Sequence, residues 1–115
     1  MAGQCIFCGI ASGEIEARVV REDDRTIAFH DLDAKAPLHV LIIPKRHIAS
    51  MNDLTASDAE VMGELLLAAS EIATTEGLAA DGYRVVMNTG AAAGQSVQHV
   101  HLHLLGGRDM SWPPG

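Results

Sequence analysis

The sequence predicts an α+β fold, a mostly antiparallel sheet of about five strands with one long helix and one short helix. Three observations carry this. Short β-branched runs are separated by tight polar turns, one 22-residue stretch from Thr55 to Glu76 has helical periodicity, and two further strand-like runs follow it. Short turns favour antiparallel pairing, and a long amphipathic helix needs a sheet to cover.

Each element has a local reason. Cys5 to Ser12 suits a short helix or turn ending near Gly13. Arg18–Arg21 and Thr26–His30 flank the acidic turn Glu22-Asp23-Asp24-Arg25 and read as a hairpin. Asp33 to Pro37 is a loop. Leu38–Ile43 is apolar and β-branched on both faces, the pattern of a buried central strand, and Pro44 ends it. In the helix, Thr55 is the expected N-cap, with Asp58 as its capping-box partner. Val61, Met62, Leu65, Leu66, Ala69, Ile72 and Ala73 form its apolar stripe, and Gly77 its stop. The turn Asp81-Gly82 precedes a strand from Tyr83 to Asn88. A small-residue loop, Thr89 to Ser96, leads into a last strand from Val97 to Leu105 and a tail holding the single Trp.

Length and composition bound the function. The 115 residues suit one domain, 1–115, with 48% hydrophobic and 20% charged residues. Fifteen acidic residues against eight basic ones give a formal charge of −7. That argues against non-specific nucleic-acid binding and against a polybasic membrane anchor. No apolar run is long enough to span a bilayer, no targeting segment is visible, and the cytoplasm is the expected compartment.

The chemistry concentrates in the histidines. His99, His101 and His103 alternate with Val100 and Leu102, so on a strand the three imidazoles share one face. Neighbours would lie about 6.6 Å apart and the outer two about 13 Å, so one metal ion could take two of them but not three. Imidazole suits nucleophilic and acid–base work near neutral pH. The preceding Gly94-Gln95-Ser96 offers backbone N–H groups, an amide and a hydroxyl to a phosphate or oxyanion, and Asn88 adds a donor. Cys5 and Cys8 form a Cys-x-x-Cys pair, open to reading as a redox pair, as free thiols or as half of a structural zinc site.

The run Gly94-Gln95-Ser96-Val97-Gln98-His99-Val100-His101-Leu102-His103-Leu104 resembles the signature of the histidine triad superfamily. Gly106-Gly107-Arg108 and Trp112-Pro113-Pro114-Gly115 are similar to the ending of its nucleotide-binding branch. Ile6-Phe7, Gly13-Glu14-Ile15, Phe29-His30-Asp31 and Pro37 to His47 match upstream, so the resemblance covers nearly the whole chain.

The resemblance implies a homodimer that binds purine nucleotides and cleaves nucleoside 5′-phosphoramidates through a nucleotidyl-histidine. The expected ligand is a purine nucleoside monophosphate or its amine conjugate, with no nucleic-acid or membrane partner. By the same resemblance His101 is the nucleophile, and His103 and Ser96 serve the phosphate or leaving group. His39 orients imidazoles behind the nucleophile, Asp31 holds the ribose hydroxyls, and Asn88, Gly94 and Gln95 lie on the phosphate side. Ile6, Phe7, Phe29, His30 and Leu32 surround base and sugar, and Trp112 shapes leaving-group specificity. Some relatives bind a structural zinc through positions matching Cys5, Cys8, His47 and His99, and no catalytic metal is expected. A dinucleoside polyphosphate hydrolase, a nucleotide-binding regulatory protein with incidental hydrolysis, and a metal hydrolase using two histidines are the competing readings.

Overall fold

The computed structural model describes residues 5–115. Its elements in chain order are α1 (Ile6–Ser12), β1 (Val19–Glu22), β2 (Thr26–His30), β3 (Leu38–Pro44), α2 (Ala59–Thr75), β4 (Tyr83–Val86) and β5 (Leu102–Gly106). The five strands form one sheet in the order β1-β2-β3-β5-β4, and every pairing is antiparallel. β3 and β4 both run antiparallel to β5 and are therefore parallel to each other. Parallel strands cannot be joined by a tight turn, and α2 lies on the crossover between them.

The sheet register sorts side chains onto two faces. Ala28, Val40, Ile42, Leu102 and Leu104 form the face that α2 covers with Leu65, Ala68, Ala69, Ile72 and Ala73. The opposite face carries Ile27, Phe29, Leu41 and Ile43, capped by Phe7 and Ile10 of α1. On that same face the register places His39, His103, Leu105, Arg84 and Val86. The seven-residue α1 is too short to cover them, so this half of the face is left as the floor of a site.

Several boundaries differ from the sequence expectation. The helical stretch opens with a 3₁₀ turn, Ala56–Asp58, closed by the Thr55/Asp58 capping box, and α2 begins only at Ala59. Leu66 is 57% exposed, because it lies one position off the buried stripe, and Leu67 is exposed beside it. β1 is shifted to 19–22 and carries an irregularity between Val19 and Arg21, and β4 stops at Val86. Pro44 is the last residue of β3 rather than the first beyond it. Residues 97–101 are not a strand, and only Leu102–Gly106 pairs on the ladder. The Val100 N–H goes instead to the Ile48 carbonyl at 2.6 Å, which pulls the chain off the sheet just where the histidines begin.

Candidate active site and metal cluster

Backbone groups fix the ring orientation of the central histidines. The His101 Nδ1 lies 2.7 Å from the His99 carbonyl, which can only accept, so Nδ1 carries the proton and Nε2 presents the lone pair. The His39 Nδ1 accepts from the Lys35 N–H at 3.0 Å, which puts the His39 proton on Nε2. That Nε2–H meets His103 Nδ1 at 2.9 Å and Asp31 Oδ2 at 3.4 Å. With Nδ1 accepting, His103 keeps its own proton on Nε2, the one donor it has left for a ligand.

The electrostatics agree with this chain of neutral rings. Burial, reinforced by His101 and His39, holds His103 down to about 4, against an opposing pull from Asp31. Burial likewise holds His39 below the ordinary range, and Asp31 works against it. Asp31, His39 and His103 come close enough to suggest ligands for an ion. However, both His39 nitrogens are already committed, Nδ1 as acceptor and Nε2 as donor, so the three form a proton-ordered chain instead.

Two cavities meet at these residues. The first, about 290 Å³, is lined mainly by apolar side chains, among them Ile6, Phe7, Phe29, Leu32, Leu41 and Val97, with His30 and His101. The second, about 420 Å³, is polar, lined by Asp33, Lys35, His39, Arg84, Asn88 and Arg108, with Val86, Leu105, Met110 and Pro114 completing the wall. Asp31, Ser96 and His103 line both. The rings of His101 and His103 are 5.0 Å apart, and Phe7 meets the His101 ring edge-on at 5.2 Å. A ligand with an apolar planar end, a reacting centre and a polar end fits this arrangement.

Gln95, Gly94 and Trp112 line neither cavity. The Gln95 amide is buried, bonded to the Gly90 N–H and to the Ala49 and Val97 carbonyls, so it holds the loop's shape rather than offering donors to a ligand. Gly94 turns the chain at φ +87°, a conformation that favours glycine, but lies outside both cavities. Trp112 is 81% exposed and also lies outside both. Sequence reasoning missed Lys35, Arg84 and Arg108. Alternation does put Arg84 and Val86 on one side of a strand, but only the strand order shows that this side is the one His103 occupies.

Next to the His101 and His103 rings lies a second cluster, Cys5, Cys8, His47 and His99, whose ligand atoms all fall within 4.8 Å of one another. His99 is fully buried, with Nε2 2.8 Å from the Pro44 carbonyl. Nε2 must donate there, so Nδ1 turns its lone pair to the thiols, 3.4 Å from Cys5 Sγ and 3.5 Å from Cys8 Sγ. His47 Nδ1 lies 3.2 Å from Cys8 Sγ. A tetrahedral zinc with bonds near 2.0–2.3 Å separates its ligands by about 3.3–3.8 Å, so this donor set fits one. A metal there would tie α1 to the start of the chain leading into β5. Its histidine would also have the carbonyl partner that metal-bound imidazoles commonly use. Burial and the neighbouring Cys5 push the Cys8 thiol up to about 11, so a metal must displace a firmly held proton.

The comparisons agree with this geometry. The HIT domain family model matches residues 12–110. An uncharacterized HIT-like protein of Synechococcus elongatus is 50% identical over the full length of both chains. The purine nucleoside phosphoramidase of Escherichia coli K12 is 44% identical over 110 residues, 96% of this chain and 92% of that protein. The crystal structure of a HIT family hydrolase from Legionella pneumophila superposes with a TM-score of 0.96 at 53% identity, covering 97% of this chain and 100% of that one. A histidine-triad protein from Clostridium difficile superposes at 0.90 with 40% identity over 93% of each. With its rings ordered by backbone groups and its sheet in the same arrangement as these proteins, the chain belongs to the HIT-domain family.

Proposed function

We propose that this protein hydrolyses purine nucleoside 5′-phosphoramidates through a nucleotidyl-histidine on His101. The observation that carries the reading is the position of His101 in the apolar cavity beside His103, which lines both cavities, with His101 Nδ1 pinned so that the Nε2 lone pair is left for a ligand. The 44% identity to a purine nucleoside phosphoramidase supports the choice of reaction.

In this mechanism the base lies among Ile6, Phe7, Phe29 and Leu32, with His30 at its edge, and Asp31 accepts from the ribose hydroxyls. Phosphorus sits at the junction of the cavities. His103 donates Nε2–H to a phosphoryl oxygen, and Asn88 supports the phosphate from the second cavity. His101 Nε2 attacks phosphorus and the phosphorus–nitrogen bond to the amine breaks. The amine leaves through the second cavity with a proton passed by the Ser96 hydroxyl, which solvent replenishes. Water then attacks the nucleotidyl-histidine and gives its proton to solvent. The bond to His101 breaks, releasing the nucleoside monophosphate with the imidazole restored. Zinc at Cys5, Cys8, His47 and His99 would act as a structural clamp.

The reading includes a cytoplasmic homodimer, which the open outer edge of β4 and the exposed Leu66 and Leu67 support. Sedimentation at micromolar concentration tests the dimer. The chemistry is tested by mixing the protein with adenosine 5′-phosphoramidate, quenching rapidly and measuring intact mass. The expected result is a transient adduct of one adenylyl group that His101→Ala abolishes. Absence of both adduct and product with the wild-type protein would refute the reaction.

A further inference from the structure

The second cavity carries charge that the proposed reaction does not use. Lys35, Arg84 and Arg108 line it together with Asp31 and Asp33, leaving it formally one positive charge in a chain of net charge −7. Lys35 is neutralised locally, with Nζ 2.7 Å from Asp33 Oδ2. The two arginines are not: among the described residues neither has a carboxylate within 4 Å. Their hydrogen bonds go to backbone carbonyls, Arg84 Nη2 to Ser111, and Arg108 to Lys35 and Asp109. Those bonds fix the guanidinium groups in place and leave further N–H donors on each. Arg84 stands opposite Leu105 and on the same sheet face as His103, on the side where the amine would leave.

Guanidinium groups held by neutral carbonyls keep their full charge for a ligand. Two guanidinium groups with N–H donors to spare suit the paired oxygens of a carboxylate. We propose that this cavity is a subsite for a leaving amine that bears a carboxylate, with Arg84 and Arg108 as the residues that select it. The inference rests on the phosphoramidase reading and sharpens it: the preferred substrates are nucleotidyl conjugates of amino acids rather than of neutral or cationic amines.

The test compares adenosine 5′-phosphoramidates of β-alanine and of β-alaninamide, which differ in one charged group and little in shape. The amide has the less basic amine and is the better leaving group, so a preference for the acid has to come from binding. The expected wild-type kcat/KM is about tenfold higher for the β-alanine conjugate, a reasonable effect for a partly exposed charge-assisted contact. Arg84→Gln is expected to bring the ratio to within about twofold of one, and Arg84→Lys to restore part of it. Arg108→Gln, on an exposed loop, reads the second guanidinium should the β4 substitution impair folding. A wild-type ratio of one or less overturns the subsite, as does a ratio that survives both glutamine substitutions. A conjugate of 2-aminoethylphosphonate favoured over its neutral counterpart, with no preference for β-alanine, overturns the carboxylate assignment. Hydrolysis of none of these conjugates, nor of the unsubstituted phosphoramidate, instead refutes the phosphoramidase reading itself.

Discussion

Replacing His103 by Gln should flatten the acid limb of the stability curve. In the folded protein burial, His101 and His39 hold His103 down to about 4, with Asp31 pulling the other way, whereas the unfolded imidazole titrates near 6.5. Below pH 6.5 the unfolded chain therefore binds a proton that the folded chain refuses. Folding stability from this group is intact above that pH and is lost as pH falls toward 4. At pH 5.5 the unfolded ring is about nine-tenths protonated and the folded ring almost none. The slope is then about 1.2 kcal/mol per pH unit, and the loss between pH 7 and pH 4 about 2–3 kcal/mol. Urea unfolding of wild type and His103→Gln at half-unit steps from pH 7 to pH 4.5 measures the difference in slope. The depressed His99 steepens both curves alike and cancels in the comparison, whereas His39, 2.9 Å from His103, responds to the substitution and is followed by its own NMR titration. Equal slopes within about 0.3 kcal/mol per unit between pH 6 and 5 would refute the argument. A His103 ring that titrates by NMR between 6 and 7 would do so directly.

Two further outcomes follow from the packing. Protein purified without chelator should carry about one zinc per chain by elemental analysis. Cys8→Ser should abolish it and lower the melting temperature, and metal content near zero in the wild type would sink the clamp. Leu104→Ala removes a fully buried side chain between α2 and the sheet and should cost about 2–5 kcal/mol by chemical denaturation, while Leu66→Ala, on the exposed side of α2, should cost under about 1 kcal/mol in the monomer.

What the sequence revealed depended on whether a feature was local. β2 and β3 are legible because their apolar residues and the turns around them are contiguous, and the order of elements follows from the same runs. The capping box at Thr55 is legible too, although it closes a 3₁₀ turn and so misplaces the start of α2 by a few residues. The stripe of α2 is overdrawn by Leu66, since helical spacing alone does not say how wide a face the sheet covers. Gln95 looks like a ligand donor in sequence, yet Ala49, 46 residues away, accepts its amide proton. Arg84 and Arg108 show nothing in sequence, because their significance comes from strand order and from carbonyls on distant segments.

The end of the ladder at Leu102 bears most directly on function. In a regular strand each of the three histidines would lie on the same face, and their carbonyls would be spent on neighbouring strands. Here the Val100 N–H leaves the sheet for Ile48, which frees the His99 carbonyl to accept from His101 Nδ1. The same departure seats the buried His99 ring 5.0 Å from that of His47, with Nδ1 toward the thiols. One residue thus belongs to both centres, its side chain to the Cys/His cluster and its carbonyl to the proposed nucleophile, His101. A ligand that immobilises the His99 ring also immobilises the group that sets which nitrogen of His101 is free. A ligand in the cluster can therefore order the His101 imidazole without touching substrate, and in the proposed reaction the row of three rings divides into an anchor, a nucleophile and a hydrogen-bond donor.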